Sequence, residues 1–289
     1  MKQLMLNTIR PFAERFPKLL MAYRLLKSHW QLFDEPVETP MGFRLIGNAA
    51  MIRGEFEVEE TRLIGELLNN ATYCINVGAN IGYYCCLAAS LRRRVIAFEP
   101  VALNLQYVAK NIEANGWNDF VSIVPVALSD RRGVARIYGG GTGASLVKGW
   151  ANASESFPTI VPTSTLDEEV ASQIAGMECL IIVDIEGAEK KMLDGARRVL
   201  GMVPKPIWFV EISVGEHQPR GVLINPELFQ TFQVFWLHGY EAWTTARPYR
   251  RIVPGEVERI VSSGIDTLMT HNFLFVECGR MGCWNSEGP

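Results

Sequence analysis

The chain has 289 residues, 48% of them hydrophobic, with 28 basic side chains against 31 acidic ones and a net charge of −3. That length can bury one large core with a small appendage, and the charge balance offers no basic face for nucleic acid. No apolar run approaches a membrane span and no signal-peptide pattern opens the sequence, so a cytoplasmic protein is expected. The cysteines do not space like a zinc site. Cys74 and Cys278 lie in apolar strand-like runs, and the adjacent Cys85 and Cys86 would form a strained disulfide, so reduced thiols are expected.

The first stretch, residues 1–30, sets Lys2, Arg10, Arg15, Lys18, Arg24 and Lys27 against a single acid, Glu14, among Leu, Met, Phe and Trp30. It reads either as a basic amphipathic segment resting on an anionic membrane near a lipid-linked acceptor, or as a helical cap over the core or a dimer contact. Pro11 and Pro17 shorten the face available to lipid and favour the second reading. The expected organisation is a helical and extended appendage over 1–50, a main domain over 51–280 and a tail over 281–289.

Within the main domain, strands and helices alternate. Strand 73–78 leads to helix 82–91, strand 94–99 to helix 101–115, and strand 119–126 to the turn at Ala127 to Asp130. Short strands 133–138 and 158–163 flank a glycine loop, 139–145. Strand 179–184 precedes a helix near 188–200. Strand 206–212, helix 226–237, strand 240–244 and strand 267–277 complete the series. Alternation of this kind predicts an α/β fold, a doubly wound and mostly parallel sheet with helices on both faces.

The most informative stretch is Cys74 to Tyr84. A strand runs into the glycine turn Gly78-Ala79-Asn80-Ile81-Gly82, which opens a helix. Glycines let backbone approach a ligand, and a carboxylate about twenty positions later, at the tip of the next strand, suits a ribose. Glu99 stands there, before Pro100. A dinucleotide turn would need glycine where this chain has Asn80 and Tyr83, so a pyrophosphate has no evident berth and an NAD(P)-dependent oxidoreductase is disfavoured. Nor does loop 139–145 end as a phosphate-binding loop would.

The chain resembles the FkbM family of S-adenosylmethionine-dependent methyltransferases from about Val37 to Cys278. The matching segments are Val77–Gly82, Ala97–Pro100, Asn111–Gly116, Val126–Asp130, Ser164–Asp167 and Val183–Glu189. The resemblance implies a class I, Rossmann-like methyltransferase fold with an antiparallel edge. It also implies S-adenosylmethionine as cofactor, and O-methylation of a small molecule or glycan such as a sugar, lipid-linked saccharide or polyketide. Two positions depart from the family pattern: Asn76 replaces an aspartate, and Ile182 replaces a lysine often found before Asp184. These departures keep open a degenerate cofactor-binding module in a biosynthetic assembly.

Carried onto this sequence, the resemblance places Asn76, Gly78, Ala79, Asn80, Gly82, Glu99, Ala127 and Asp184 around the cofactor. Glu99 would take the ribose hydroxyls and the Ala127 backbone the adenine edge. Methyl transfer to a hydroxyl needs alignment and a base for the departing proton. Asp184, Glu186 and the loop histidine His217 are the candidates, against readings in which Asp184 caps a helix, Glu186 complements its dipole and His217 pins a loop. No metal site is indicated, although Asp184 with Glu211 would be the place for a divalent cation. Trp117 and Trp150 are either sugar-stacking faces or packing residues. Loop 139–145 is expected to close over the acceptor. Homo-oligomerisation is left open.

Overall fold

Strands that carry apolar residues without alternation need cover on both faces, and the computed structural model supplies it. It describes residues 29–153 and 158–280. The basic segment read over 1–30 falls almost wholly outside the described residues, as does the tail 281–289. A short antiparallel pair comes first, β1 (Val37–Glu38) and β2 (Arg44–Leu45), then helices Ala49–Arg53 and Val58–Leu68. The series β3 (Tyr73–Val77), helix Tyr83–Ser90, β4 (Arg94–Phe98), helix Ala102–Ala114 and β5 (Val121–Val124) forms one half of the domain.

An excursion of three strands follows: β6 (Ala127–Leu128), β7 (Gly133–Ile137) and β8 (Thr159–Ser164). The second half runs through helix Leu166–Val170, β9 (Cys179–Val183), helices Glu189–Asp194 and Arg197–Leu200, β10 (Ile207–Glu211) and helix Leu228–Leu237. It ends with β11 (Tyr240–Thr244), β12 (Arg251–Ile252), helix Pro254–Ser263 and β13 (Asn272–Glu277).

Eight strands form the central sheet in the order β12-β11-β13-β10-β9-β3-β4-β5. The five from β10 to β5 are parallel, and β13, β11 and β12 add antiparallel neighbours at the other edge. Period-two alternation divides the core into two layers. Ile75, Val77, Ile181, Val183, Trp208 and Val210 face the helices after β9 and β10, whereas Cys74, Leu180, Ile182 and Phe209 face helix Tyr83–Ser90. The doubly wound α/β architecture is therefore present, with strand order reversing between β3 and β9. Among the described residues no helix is long and apolar enough to cross a membrane.

The segment before β3 is held to this core rather than hung from it. Phe43 and Leu45 are buried, and Asn111, with no exposure at all, reaches both ways. Its Oδ1 accepts from Ile46 N at 2.7 Å, and its Nδ2 donates to the carbonyls of Ile46 and Ile81. Asn115 repeats the clamp on Arg44. The two asparagines of the Asn111–Gly116 segment are thus a clasp for the entering chain.

Several boundaries differ from expectation for local reasons. The strand expected over 119–126 ends at Val124, because Ala127–Leu128 leaves to pair with β8 in a separate three-stranded sheet of order β6-β8-β7. The helix expected near 188–200 breaks at Gly195, where a Cβ would stand 2.2 Å from the Ser129 carbonyl oxygen. The strand expected over 267–277 begins only at Asn272. Asp266 Oδ1 accepts the Leu268 amide at 2.8 Å and Met269 takes a φ of +54°, which makes a turn of its first residues.

Gly78 is the tightest point of the sheet's ligand edge. Its φ is +82°, and a Cβ there would lie 1.8 Å from the Asp184 carbonyl oxygen. At Gly82 the φ is +86° but the nearest atom, on Val108, is 3.3 Å away. Gly78→Ala is expected to cost about 2–4 kcal/mol through strain and overlap with backbone that cannot yield. Gly82→Ala is expected to cost about 1–2 kcal/mol through conformation alone. Urea unfolding of the two variants measures the difference, and equal losses would contradict it.

Candidate active site

The cleft opens where strand order reverses, beyond the carboxyl ends of β3, β4 and β9. The register sets Val77 opposite Val183, and the Asp184 amide donates to the Val77 carbonyl at 3.0 Å, so the two turns leave the sheet side by side. The cleft is lined by Gly78, Asn80, Glu99, Ala127, Asp184 and Glu186 with apolar walls from Phe98, Leu128, Ile137 and Leu146. Apolar walls with a few convergent polar groups suit a small organic ligand.

Glu99 is only 4% exposed. One carboxylate oxygen accepts the Asn80 amide and the other the Val101 amide, each at 2.8 Å. Burial pushes its carboxyl up to about 7 despite those donors. With one bond on each oxygen, lone pairs remain for hydroxyl donors. Asn80 has a φ of +52°, and its Oδ1 is buried with no hydrogen-bond partner. Asn104 donates to the Gly141 carbonyl and also lines the cleft.

The other expected cofactor positions serve the turn more than the cleft. Asn76 is 2% exposed, and its amide donates to Cys85 Sγ at 3.4 Å, inside the sheet-helix layer. Its position in that layer follows from the pleat: neighbouring strand residues Ile75 and Val77 face the opposite side. Ala79 is buried, and its amide, like that of Gly78, donates to the Phe98 carbonyl. Gly82 accommodates the αL start of helix Tyr83–Ser90. Ala127 does line the cleft, from β6 in the smaller sheet.

A rim of carboxylates continues from the cleft toward β10. Asp184 is exposed where it faces the cleft, and Glu211 ends β10 half-buried. Burial and then mutual repulsion drive the Asp184 carboxyl well above the carboxylate range, with Glu211, Glu186, Glu57 and Glu99 all contributing. Burial, then Glu186 and Glu57, pushes Glu211 up to about 8. Like charges sharing one recess resist ionising together, which raises the proton affinity of both carboxyls. Glu57, also raised by burial, accepts the Tyr84 hydroxyl at 2.6 Å. Among the described residues, no three His, Cys, Asp or Glu side chains are grouped so as to hold a metal ion.

Glu186 has a φ of +55°, and its Oε2 accepts the Trp150 indole N–H at 2.6 Å and lies 3.9 Å from His217 Nδ1. His217, half exposed, also adopts a left-handed backbone, and its carbonyl accepts the Ala151 amide. Asp184 caps no helix: helix Glu189–Asp194 starts from Ala188 with no side-chain cap. Glu189, 3% exposed, instead accepts the Gly187 amide at 2.9 Å, and burial lifts its carboxyl to about 8. Trp150 is buried, and Trp117 is partly buried against the core, so neither presents an open face for stacking. Glu57, Tyr84 and Asn104 joined the site without any spacing that marked them. Glu57 comes from a connection some twenty positions before the glycine turn, and only the fold brings it near.

This arrangement defines a class: a doubly wound α/β domain whose switch-point cleft pairs a glycine turn with a buried carboxylate. The Methyltransferase FkbM domain model matches residues 76–241, more than half of the chain, and the chain belongs to that family. It is accordingly a methyltransferase-family protein. No curated protein matches the chain. Among solved structures it is similar to the FkbM methyltransferase of Methylobacillus flagellatus. Identity is 15%, the TM-score is 0.42, and the match covers 71% of this chain but only 43% of that one, well under half its length. It is also similar to precorrin-6y C5,15-methyltransferase of Geobacter metallireducens, at 10% identity and a TM-score of 0.36, covering 75% of this chain and 86% of that one.

The raised carboxyls set the sign of pH-dependent stability. Glu99, Asp184, Glu189 and Glu211 hold protons in the folded chain at pH values where the unfolded chain, with carboxyls near 4, has released them. Folded protein then binds more protons than unfolded, so stability is greatest below this window and falls as pH rises from about 5 to about 8. Thermal melts across that range should show Tm dropping by several degrees, with a shallower slope for Glu211→Gln. A flat profile for the unaltered protein would mean these carboxyls ionise normally.

Proposed function

We propose that the chain is an S-adenosylmethionine-dependent methyltransferase that methylates a hydroxyl oxygen of a small molecule or glycan. The observation that carries this reading is the Glu99 carboxylate. It is buried at the tip of β4, oriented by the Asn80 and Val101 amides and turned to a cleft that Gly78 and Ala127 also line. These residues fit an adenosine. Glu99 retains acceptor capacity for two ribose hydroxyls, the unpartnered Asn80 Oδ1 can accept a further donor, and the apolar walls suit a purine. When bound, the cofactor supplies a methyl group made electrophilic by its sulfonium sulfur.

The protein's own task is then to orient the acceptor and receive its proton. Asp184 and Glu211 suit that role, because burial and repulsion raise their carboxyls above the ordinary carboxylate range and make them stronger proton acceptors. Glu186 and His217 stand beside them to orient the acceptor. A sugar, lipid-linked saccharide or polyketide is the acceptor class that family resemblance suggests, and the carboxylate rim is compatible with hydroxyl donors. The domain division at residues 50 and 280, and a cytoplasmic setting, belong to the same proposal.

Calorimetry tests the cofactor: S-adenosylmethionine should bind and NADH should not. Glu99→Ala should weaken binding by about 10–100-fold, the worth of charge-assisted hydrogen bonds to two hydroxyls. In transfer of labelled methyl to a panel of glycans and polyketide alcohols, Asp184→Asn and Glu211→Gln should lower kcat by about 10²–10⁴-fold while leaving cofactor affinity near that of the unaltered protein. Tight NADH binding with no uptake of S-adenosylmethionine would reverse the reading.

A further inference from the structure

Three loops meet at one side chain. Trp150 belongs to the span between β7 and β8, yet it is 2% exposed, while its neighbour Ala151 is exposed. Its indole N–H donates to Glu186 Oε2 at 2.6 Å, a short charge-assisted bond. Its ring occupies the space over Gly187, where a Cβ would come within 2.4 Å of ring carbon. The ring also meets His217 edge-on, with centroids 6.3 Å apart at 86°. The next amide, Ala151 N, donates to the His217 carbonyl at 2.7 Å. One indole and one amide therefore join the turn after β9 to the loop after β10.

The same span forms a wall of the cofactor cleft. Gly141, Ala144 and Leu146 line it, and Ser145 Oγ donates to the Glu186 carbonyl. Ala151, Glu186 and His217, none of them glycine, all carry φ values between +47° and +63°. Left-handed backbone at such residues persists only where surroundings impose it, and here the Trp150 indole and the Ala151 amide tie the three segments together. Without Trp150, Glu186 would lose the donor that fixes its Oε2, and the wall would keep only the Ser145 hydroxyl as its anchor at the β9 turn.

We propose that Trp150 is a positioning residue: it holds the Glu186 carboxylate at the acceptor rim and latches the 138–153 span over the cofactor cleft. The catalytic half of this inference rests on the function proposed above; the latch half does not. Gly187 is part of the same device, because only a residue without a side chain admits the indole.

The test uses full-length protein and the conservative substitution Trp150→Phe, which keeps a ring and removes the N–H. Trypsin cleavage after Lys148 reports the latch with no turnover required. Trp150→Phe and Glu186→Leu should each speed that cleavage about tenfold at unchanged far-UV circular dichroism, and the double variant should be no faster than either single one, since both remove the same bond. Additive effects, or single variants cut at the rate of the unaltered protein, would overturn the latch. With whichever acceptor the panel yields, Trp150→Phe should lower kcat about tenfold while the acceptor KM and the Kd for S-adenosylhomocysteine stay within about twofold. A loss confined to Tm, with kcat retained, would overturn the positioning role. Absence of methyl transfer by the unaltered protein would remove the proposed function instead, and proteolysis would still decide the latch.

Discussion

Two turns share one square of backbone at the centre of this molecule. Where β3 and β9 end, the Val77 carbonyl receives the Asp184 amide, and Gly78 passes so close to the Asp184 carbonyl that no side chain fits between them. That contact fixes the cleft floor. It sets Asp184 beside the glycine turn and lets the Asn80 amide reach the Glu99 carboxylate, whose other oxygen the Val101 amide holds. The remaining features of the site, including the carboxylate rim and the wall carried by β7 and β8, are arranged around those two turns.

Electrostatics at the rim follow from the same geometry. Parallel strands deliver their carboxyl ends to one edge, so acids that terminate β4, β9 and β10 converge whatever their distance in sequence. Convergence raises their proton affinity, and raised affinity costs stability as pH climbs. The fold accepts that cost at the rim of its switch-point cleft. Glu189 shows the structural counterpart: a buried acid of similar proton affinity that satisfies a turn amide and does not open on the cleft.

How far the residues foretold this site depended on the range of the interaction. The glycine turn, the helix it opens and the carboxylate at Glu99 are local or one strand away, and their spacing was legible. Asp184 was legible for the same reason, as the end of an apolar run. Asn76 shows a limit: the family resemblance placed it around the cofactor, and its amide bond to Cys85 Sγ, set by the strand pleat, had no mark in the sequence. Gly195 shows another, since the helix break comes from the approach of Ser129, sixty-odd positions earlier. Glu57, Tyr84 and the Trp150–Glu186 bond depend on three-dimensional neighbours and left no periodic mark. Conversely, helix Pro254–Ser263 carried its signals openly, a proline at its start and Gly264 in the left-handed form at its end, and went unread.

The three-stranded sheet β6-β8-β7 shares no strand with the eight-stranded one. Insertions or deletions between β7 and β8 can therefore reshape the roof over the ligand without disturbing a single rung of the main ladder. In a lineage descending from such a chain, that span is free to change in length and bulk while the sheet beneath stays as it was.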